Sequence, residues 1–259
     1  MNDLIFLKIG GSIITKKETH EPTIDTKNLK RICQEIADGY QNASCKLLIV
    51  HGAGSFGHPI VKQTGIHKGI TRPDQLFSFA KTQLLQNILN SKVCQTLQAF
   101  QLPAIPLQPS ATAIMENRRL VSYNYELVKS LIDLSLIPVL FGVPAFDKSQ
   151  KCSILSGDQI VGYLAGKLNP QKIIFATNVD GILDKNQKLI ERVTKDNFEE
   201  IQKYVYKTNY DDVTDSMGGK LSELRPLLGI KAYIINGTIN NLIRDILVGK
   251  SVRGTCIEF

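Results

Sequence analysis

The stretch Lys46–His58, K-L-L-I-V-H-G-A-G-S-F-G-H, decides how the rest of the chain is read. Lys46 to Val50 is a short apolar run of strand-forming residues. Gly52, Gly54 and Gly57 follow within six positions, and Pro59 comes directly after His58. Proline is tolerated in the first turn of a helix, where its missing N–H costs nothing. The order therefore predicts a strand, a loop made of main chain, and the start of a helix. Glycines let a ligand approach the backbone, and a helix start offers free N–H groups with a partial positive charge, so an anion is the natural guest. His58 adds a titratable donor at the same place.

G-A-G-S-F-G also fits the dinucleotide fingerprint G-x-G-x-x-G, a weak signal by itself. That reading needs an acidic residue about 20 positions on, at the end of the next strand. Asp74 is near that distance, but Gln75 to Leu97 reads as a long helix, which puts Asp74 at a helix start. A nicotinamide site, a structural turn and a phosphate site all remain open at this point.

Working outward, Leu4 to Ile9 reads as a strand carrying Lys8, and Gly10, Gly11 and Ser12 follow at once. A lysine near a strand end beside two glycines can meet the same anion, or point to solvent. Lys16 and Lys17 lie in polar sequence, where a mobile positive loop would suit phosphoryl transfer. From Thr26 apolar residues recur at helical spacing, with Gly39 as the expected stop. Leu76, Phe77, Ala80, Leu84, Ile88 and Val93 predict an amphipathic helix, with Phe77, Phe79, Leu84 and Ile88 as candidates to face an apolar substrate tail.

Further strands are expected at Ala104 to Leu107 and Ile137 to Phe141, with a helix from Tyr125 to Leu134. Ser156-Gly157-Asp158 opens another helix, with Ser156 as N-cap. Asp158 there either answers the helix dipole or holds nearby lysines in position. Lys172 to Thr177 is a strand closed by Asn178-Val179-Asp180-Gly181. Ile182 to Val193 reads as a hairpin; its D-x-N-x-K run lacks the glycine and terminal glutamate of a calcium loop. Asp212 to Lys220 leads into a helix, and the chain finishes strand, helix, strand.

Strands alternating with helices predict a mostly parallel sheet covered on both faces. Ligands on such sheets sit at the carboxyl ends of the strands, so the glycine turns after Ile9, Val50 and Thr177 should line one edge. That brings Lys8, Gly11, Gly54 and His58 together. No G-x-x-x-x-G-K-[ST] occurs, which excludes a P-loop enzyme.

Length and composition agree with a soluble α/β protein. The 259 residues suit one large domain or two fused small ones, and a hydrophobic share of 43% supplies a full core. No apolar run is long enough to span a membrane. The N-terminus is too short and too charged for a signal peptide. Five scattered cysteines without C-x-x-C spacing predict reduced thiols and a cytoplasmic location. The net charge of +7 is spread along the chain, which favours a small anionic substrate over nucleic acid.

Four motifs together, K-I-G-G-S at Lys8, H-G-A-G-S-F-G-H at His51, S-G-D at Ser156 and D-V-T…M-x-G-K from Asp212 to Lys220, resemble the amino acid kinase superfamily. The terminal histidine of the second motif is similar to its isopentenyl phosphate kinase branch. The resemblance spans the whole chain in order. It implies an open three-layer αβα sandwich, ATP- and magnesium-dependent phosphoryl transfer to isopentenyl phosphate, and a homodimer. Residues 1–170 would bind the acceptor and residues 171–259 the nucleotide, on one continuous sheet. Lys8, Gly10, Gly11, Ser12 and Gly54 would contact nucleotide phosphates. Ala53, Gly54, His58 and Gly157 would hold the acceptor phosphate, with Asp158 positioning the lysines. Lys17 would steady the moving group, and Ser216 and Lys220 would engage ATP from the other half. Asn178 stands where an aspartate is frequent at the nucleotide site, and Asp215 and Ser216 replace common glycines. The magnesium is expected to ride on ATP. A fosfomycin-type kinase, a nucleotide-binding regulator without turnover and a nicotinamide oxidoreductase are the competing readings.

Overall fold

The computed structural model describes residues 3–16, 21–208, 217–227 and 229–258. Eight strands form the central sheet: β1 (Leu4–Ile9), β2 (Lys46–His51), β3 (Ala104–Pro106), β4 (Ile137–Phe141), β5 (Lys172–Thr177), β6 (Arg192–Val193), β7 (Lys231–Asn236) and β8 (Gly254–Ile257). Their order is β6-β8-β7-β5-β1-β2-β4-β3. The six strands from β7 to β3 run parallel, while β8 lies antiparallel to β7 and β6 pairs with β8.

Period-two alternation sorts the strand residues between two cores. Ile5, Leu7 and Ile9 face helices α1 (Thr26–Asn42), α3 (Asp74–Ala99) and α8 (Leu242–Leu247). Leu4 and Phe6 face α4 (Tyr125–Asp133), α5 (Gly157–Leu168), α6 (Lys195–Thr208) and α7 (Met217–Leu224). Two helical layers around one sheet make the expected αβα sandwich. Lys8 shares the parity of Leu4 and Phe6, so its side chain emerges on the α5 side at the sheet's carboxyl edge.

The expected parallel strands stand at their places within a residue or two, but several local expectations fail. Helix α1 runs past Gly39 to Asn42, because Gly39 packs against Leu247 of α8 and a Cβ there would sit 2.8 Å from that side chain. Val143–Asp147 and Lys151–Leu155 form an antiparallel hairpin, and with Ile114–Glu116 and Arg119–Ser122 they build a second, four-stranded sheet. Sequence reading left the hairpin out, and α6 with it.

The largest correction concerns α3. Over its first turns it buries Gln75, Thr82, Gln86 and Asn90, while Leu76, Phe77, Leu84 and Ile88 are between 48% and 74% exposed. Of the apolar set expected to share one face, Leu76, Phe77, Ala80, Leu84 and Ile88 point outward, whereas Val93 is buried in the core with Leu89 and Leu97. None of the expected tail contacts from Phe77, Phe79, Leu84 and Ile88 lines the cavity described below.

Candidate active site

Three glycine turns meet at the carboxyl edge because β5, β1 and β2 are neighbours in the sheet. Gly10 N–H donates to Ala176 O at 2.8 Å, and Gly52 N–H donates to Ile9 O at 2.9 Å. A Cβ on Gly11 would overlap the Gly54 amide nitrogen, so the first two turns touch through bare backbone. Gly54 itself has φ +51°, a left-handed conformation that glycine adopts freely. Thr15 locks the pair: its Oγ1 donates to Gly11 O at 2.8 Å and accepts from Ser55 N–H at 3.0 Å. The two turns therefore meet as bare backbone where side chains are excluded.

Behind this edge lies a buried charge group. Lys8 Nζ is 3.5 Å from Asp158 Oδ1, and Lys220 Nζ donates to Asp158 Oδ2 at 3.2 Å. All three side chains are at most 4% exposed. Asp158 thus bridges lysines from β1 and α7, two elements far apart in sequence, and the group keeps one net positive charge. Ser156 caps α5, its Oγ accepting from Gln159 N–H at 3.1 Å, which sets the helix start and aims Asp158 inward. Gly157 lets the Lys8 stem pass: a Cβ there would stand 3.3 Å from Lys8 Cε.

A cavity of about 530 Å³ opens beside the second glycine turn. Ala53, Gly57 and His58 line one end with Ser156 and Gly157, and Val61, Val143, Pro144 and Ile154 supply apolar wall. His58 is the first residue of α2 (His58–Thr64), half-buried, with Pro59 behind it in the first turn. The sequence-derived residues Ala53, His58 and Gly157 thus share one cavity, Gly54 abuts it, and Lys8, Asp158 and Lys220 lie just behind Gly157. Gly10 is buried and Ser12 half-buried on the adjoining turn, and Asn178 is exposed at the end of β5. Lys17 and Ser216 lie outside the described residues, as do Asp212 and Asp215.

Sequence reading overlooked His51, Thr82 and Gln86. His51 is fully buried, stacks on Phe141 with ring centroids 5.5 Å apart, and contacts Gly52 O at 3.0 Å and Asn90 Oδ1 at 3.2 Å. Burial, with a smaller push from the Lys8 charge, lowers its pKa to about 4, so it is a neutral brace between α3 and the glycine turn. Its place inside the quoted motif was the available signal. Thr82 and Gln86 line the cavity from the polar buried face of α3, where apolar periodicity pointed the other way. Among the described residues, no group of three or more His, Cys, Asp or Glu converges as a metal cage.

A model of the amino acid kinase family matches residues 3–236. Isopentenyl phosphate kinase of Methanothermobacter thermautotrophicus is 37% identical, covering 98% of each chain. The enzyme of that name from Arabidopsis thaliana is 30% identical over 87% of this chain and 76% of its own. A solved isopentenyl phosphate kinase superposes with a TM-score of 0.84 at 34% identity, covering 98% of this chain and 99% of that one. A carbamate kinase from Giardia shares the fold, with a TM-score of 0.69 at 16% identity.

Proposed function

The chain belongs to the amino acid kinase family, among the isopentenyl phosphate kinases, and from that premise we propose that it transfers the γ-phosphoryl group of ATP to isopentenyl phosphate, giving isopentenyl diphosphate and ADP. The observation that carries this reading is the cavity that joins an imidazole and a glycine turn to a buried lysine pair. His58 and the amides of Ala53, Gly54 and Gly157 hold the acceptor phosphate. Lys8, Gly10, Gly11, Ser12, Gly54, Asn178, Ser216 and Lys220 meet the nucleotide, and Lys17 steadies the group in flight. Residues 1–170 then form the acceptor half and 171–259 the nucleotide half.

A phosphate monoester has a second pKa near 6, so its attacking oxygen is already deprotonated at neutral pH and needs no base. The obstacle is repulsion between two anions. At ~4 Å, two unit charges repel by about 4 kcal/mol at an effective dielectric near 20, and several such pairs act at once. Lys8 and Lys220, fixed by Asp158, and the glycine-turn amides offset this by position and preorganised charge. Magnesium bound to the ATP phosphates supplies further charge neutralisation when present.

The working form is a homodimer. Its support is the outward apolar stripe of Leu76, Phe77, Ala80, Leu84 and Ile88 on α3, an exposed face with Lys81 at its edge that a second copy would cover. Five free cysteines suit a reducing cytoplasm.

The test is ADP release with ATP and, separately, isopentenyl phosphate, fosfomycin and no acceptor. Rapid release with isopentenyl phosphate alone is expected. Preference for fosfomycin would move the assignment to a phosphonate kinase, and nucleotide binding without release in any mixture would make the chain a regulator.

A further inference from the structure

The cavity is larger and more cationic than a five-carbon phosphate needs. The ten non-hydrogen atoms of isopentenyl phosphate, at no more than about 30 Å³ each, fill roughly 300 Å³, against a cavity of about 530 Å³. The spare volume has a defined chemistry. Besides His58, the lining includes Lys62, His67 and Lys68, and no aspartate or glutamate.

These three follow the glycine turn in the chain. Lys62 is one turn along α2 from His58, and His67 and Lys68 lie on the short helix Ile66–Lys68 beyond it. That segment is tied to the far end of the Lys151–Leu155 strand: Ile70 N–H donates to Gln150 O at 3.1 Å, and Gln150 Nε2 donates to His67 O at 3.4 Å. The same strand leads through Ile154 to Gly157 at the phosphate end. At ~3.3 Å per residue, Ile154 alone is about 10 Å from Gly157. The ammonium groups of Lys62 and Lys68 have no hydrogen bond or ion pair among the described residues, so they are available to a ligand.

Resting on the reading of this cavity as the acceptor site, we propose that its far end is a second anion subsite, formed by Lys62, His67 and Lys68, and that besides isopentenyl phosphate the enzyme takes longer phosphomonoesters, preferring those with a carboxylate at the other end of the chain to their uncharged counterparts. The apolar middle made by Val61, Val143 and Ile154 holds the chain, and the two anionic ends engage His58 and the lysines separately. Phosphoryl transfer is unchanged, with the phosphate oxygen still attacking and ADP still leaving. What the subsite alters is which acceptors are captured.

The experiment compares kcat/KM for isopentenyl phosphate, hexyl phosphate and the ω-carboxylate analogue of hexyl phosphate, in the wild type and in a Lys62→Met, Lys68→Met double variant. In the wild type the carboxylate analogue should exceed hexyl phosphate by about tenfold, the sum of a few partly screened charge contacts. The ratio should fall toward one in the double variant and shrink with added salt in the wild type. A wild-type ratio of one or less overturns the subsite while isopentenyl phosphate turnover leaves the kinase reading intact. A ratio that survives the double substitution also overturns it. Failure of all three acceptors overturns the kinase reading on which the subsite rests.

Discussion

Two lysines share one carboxylate at Asp158, so removing that charge leaves two buried ammonium groups side by side. Asp158→Asn is expected to lower kcat about a hundredfold and to cost about 3–5 kcal/mol of stability. Turnover and urea denaturation measure the two effects separately. In the proposed reaction His58 holds the acceptor and not the nucleotide, so His58→Ala should raise the acceptor KM strongly with little change in the KM for ATP. His58→Gln, which keeps a neutral donor, should recover part of the loss. His51 makes a different prediction, since it must stay neutral in the folded state. Its pKa falls from about 6.5 unfolded to about 4 folded. Between those values the unfolded chain binds more protons, so stability rises with pH, is fully present above pH 6.5 and is lost progressively toward pH 4. The shift corresponds to about 3 kcal/mol across the window. Urea midpoints at pH 7 and pH 5 should show this slope, and His51→Gln should flatten it.

At the scale of elements, the glycine turns form the cradle, and their freedom is used where backbone meets backbone. Gly54→Ala forces a Cβ into Thr15 Oγ1 and into Gly11 O at a positive φ. It should cost about 1–2 kcal/mol from the left-handed conformation alone and weaken ATP binding, readable by calorimetry. This cradle was legible because the signal is local: glycine spacing after an apolar run fixes a strand, a turn and a helix start whatever lies elsewhere. Lys8 was legible from its place near the end of β1 beside Gly10 and Gly11, while the side to which it points came from the two cores the strand separates. Helix α3 was misread because periodicity reads the apolar residues of 76–88 and Val93 as one face, whereas the core side of the helix carries Thr82, Gln86, Leu89, Val93 and Leu97. The hairpin at 143–155 escaped because Val143 to Phe146 continues the β4 run with only Gly142 between them. Asp158 and Lys220 meet only through the packing of α5 on α7, 62 positions apart, which no spacing announces.

For the whole molecule, the sandwich places the cavity and the Lys8–Asp158–Lys220 group at the same edge of one sheet, as the proposed transfer requires. The outward stripe on α3 belongs to this scale as well. Thr82 and Gln86 on the reverse of that helix line the cavity, so covering the stripe also backs the acceptor wall. Leu84→Glu should convert a dimer to a monomer by light scattering and raise the acceptor KM several-fold. A wild-type chain that stays monomeric at micromolar concentration would refute the dimer. The most direct measurement follows the phosphoryl group itself, using ATP labelled at the γ position, isopentenyl phosphate and the full-length protein. The label should appear in isopentenyl diphosphate as ADP accumulates. Label found solely in inorganic phosphate, or left in ATP, would contradict the transfer.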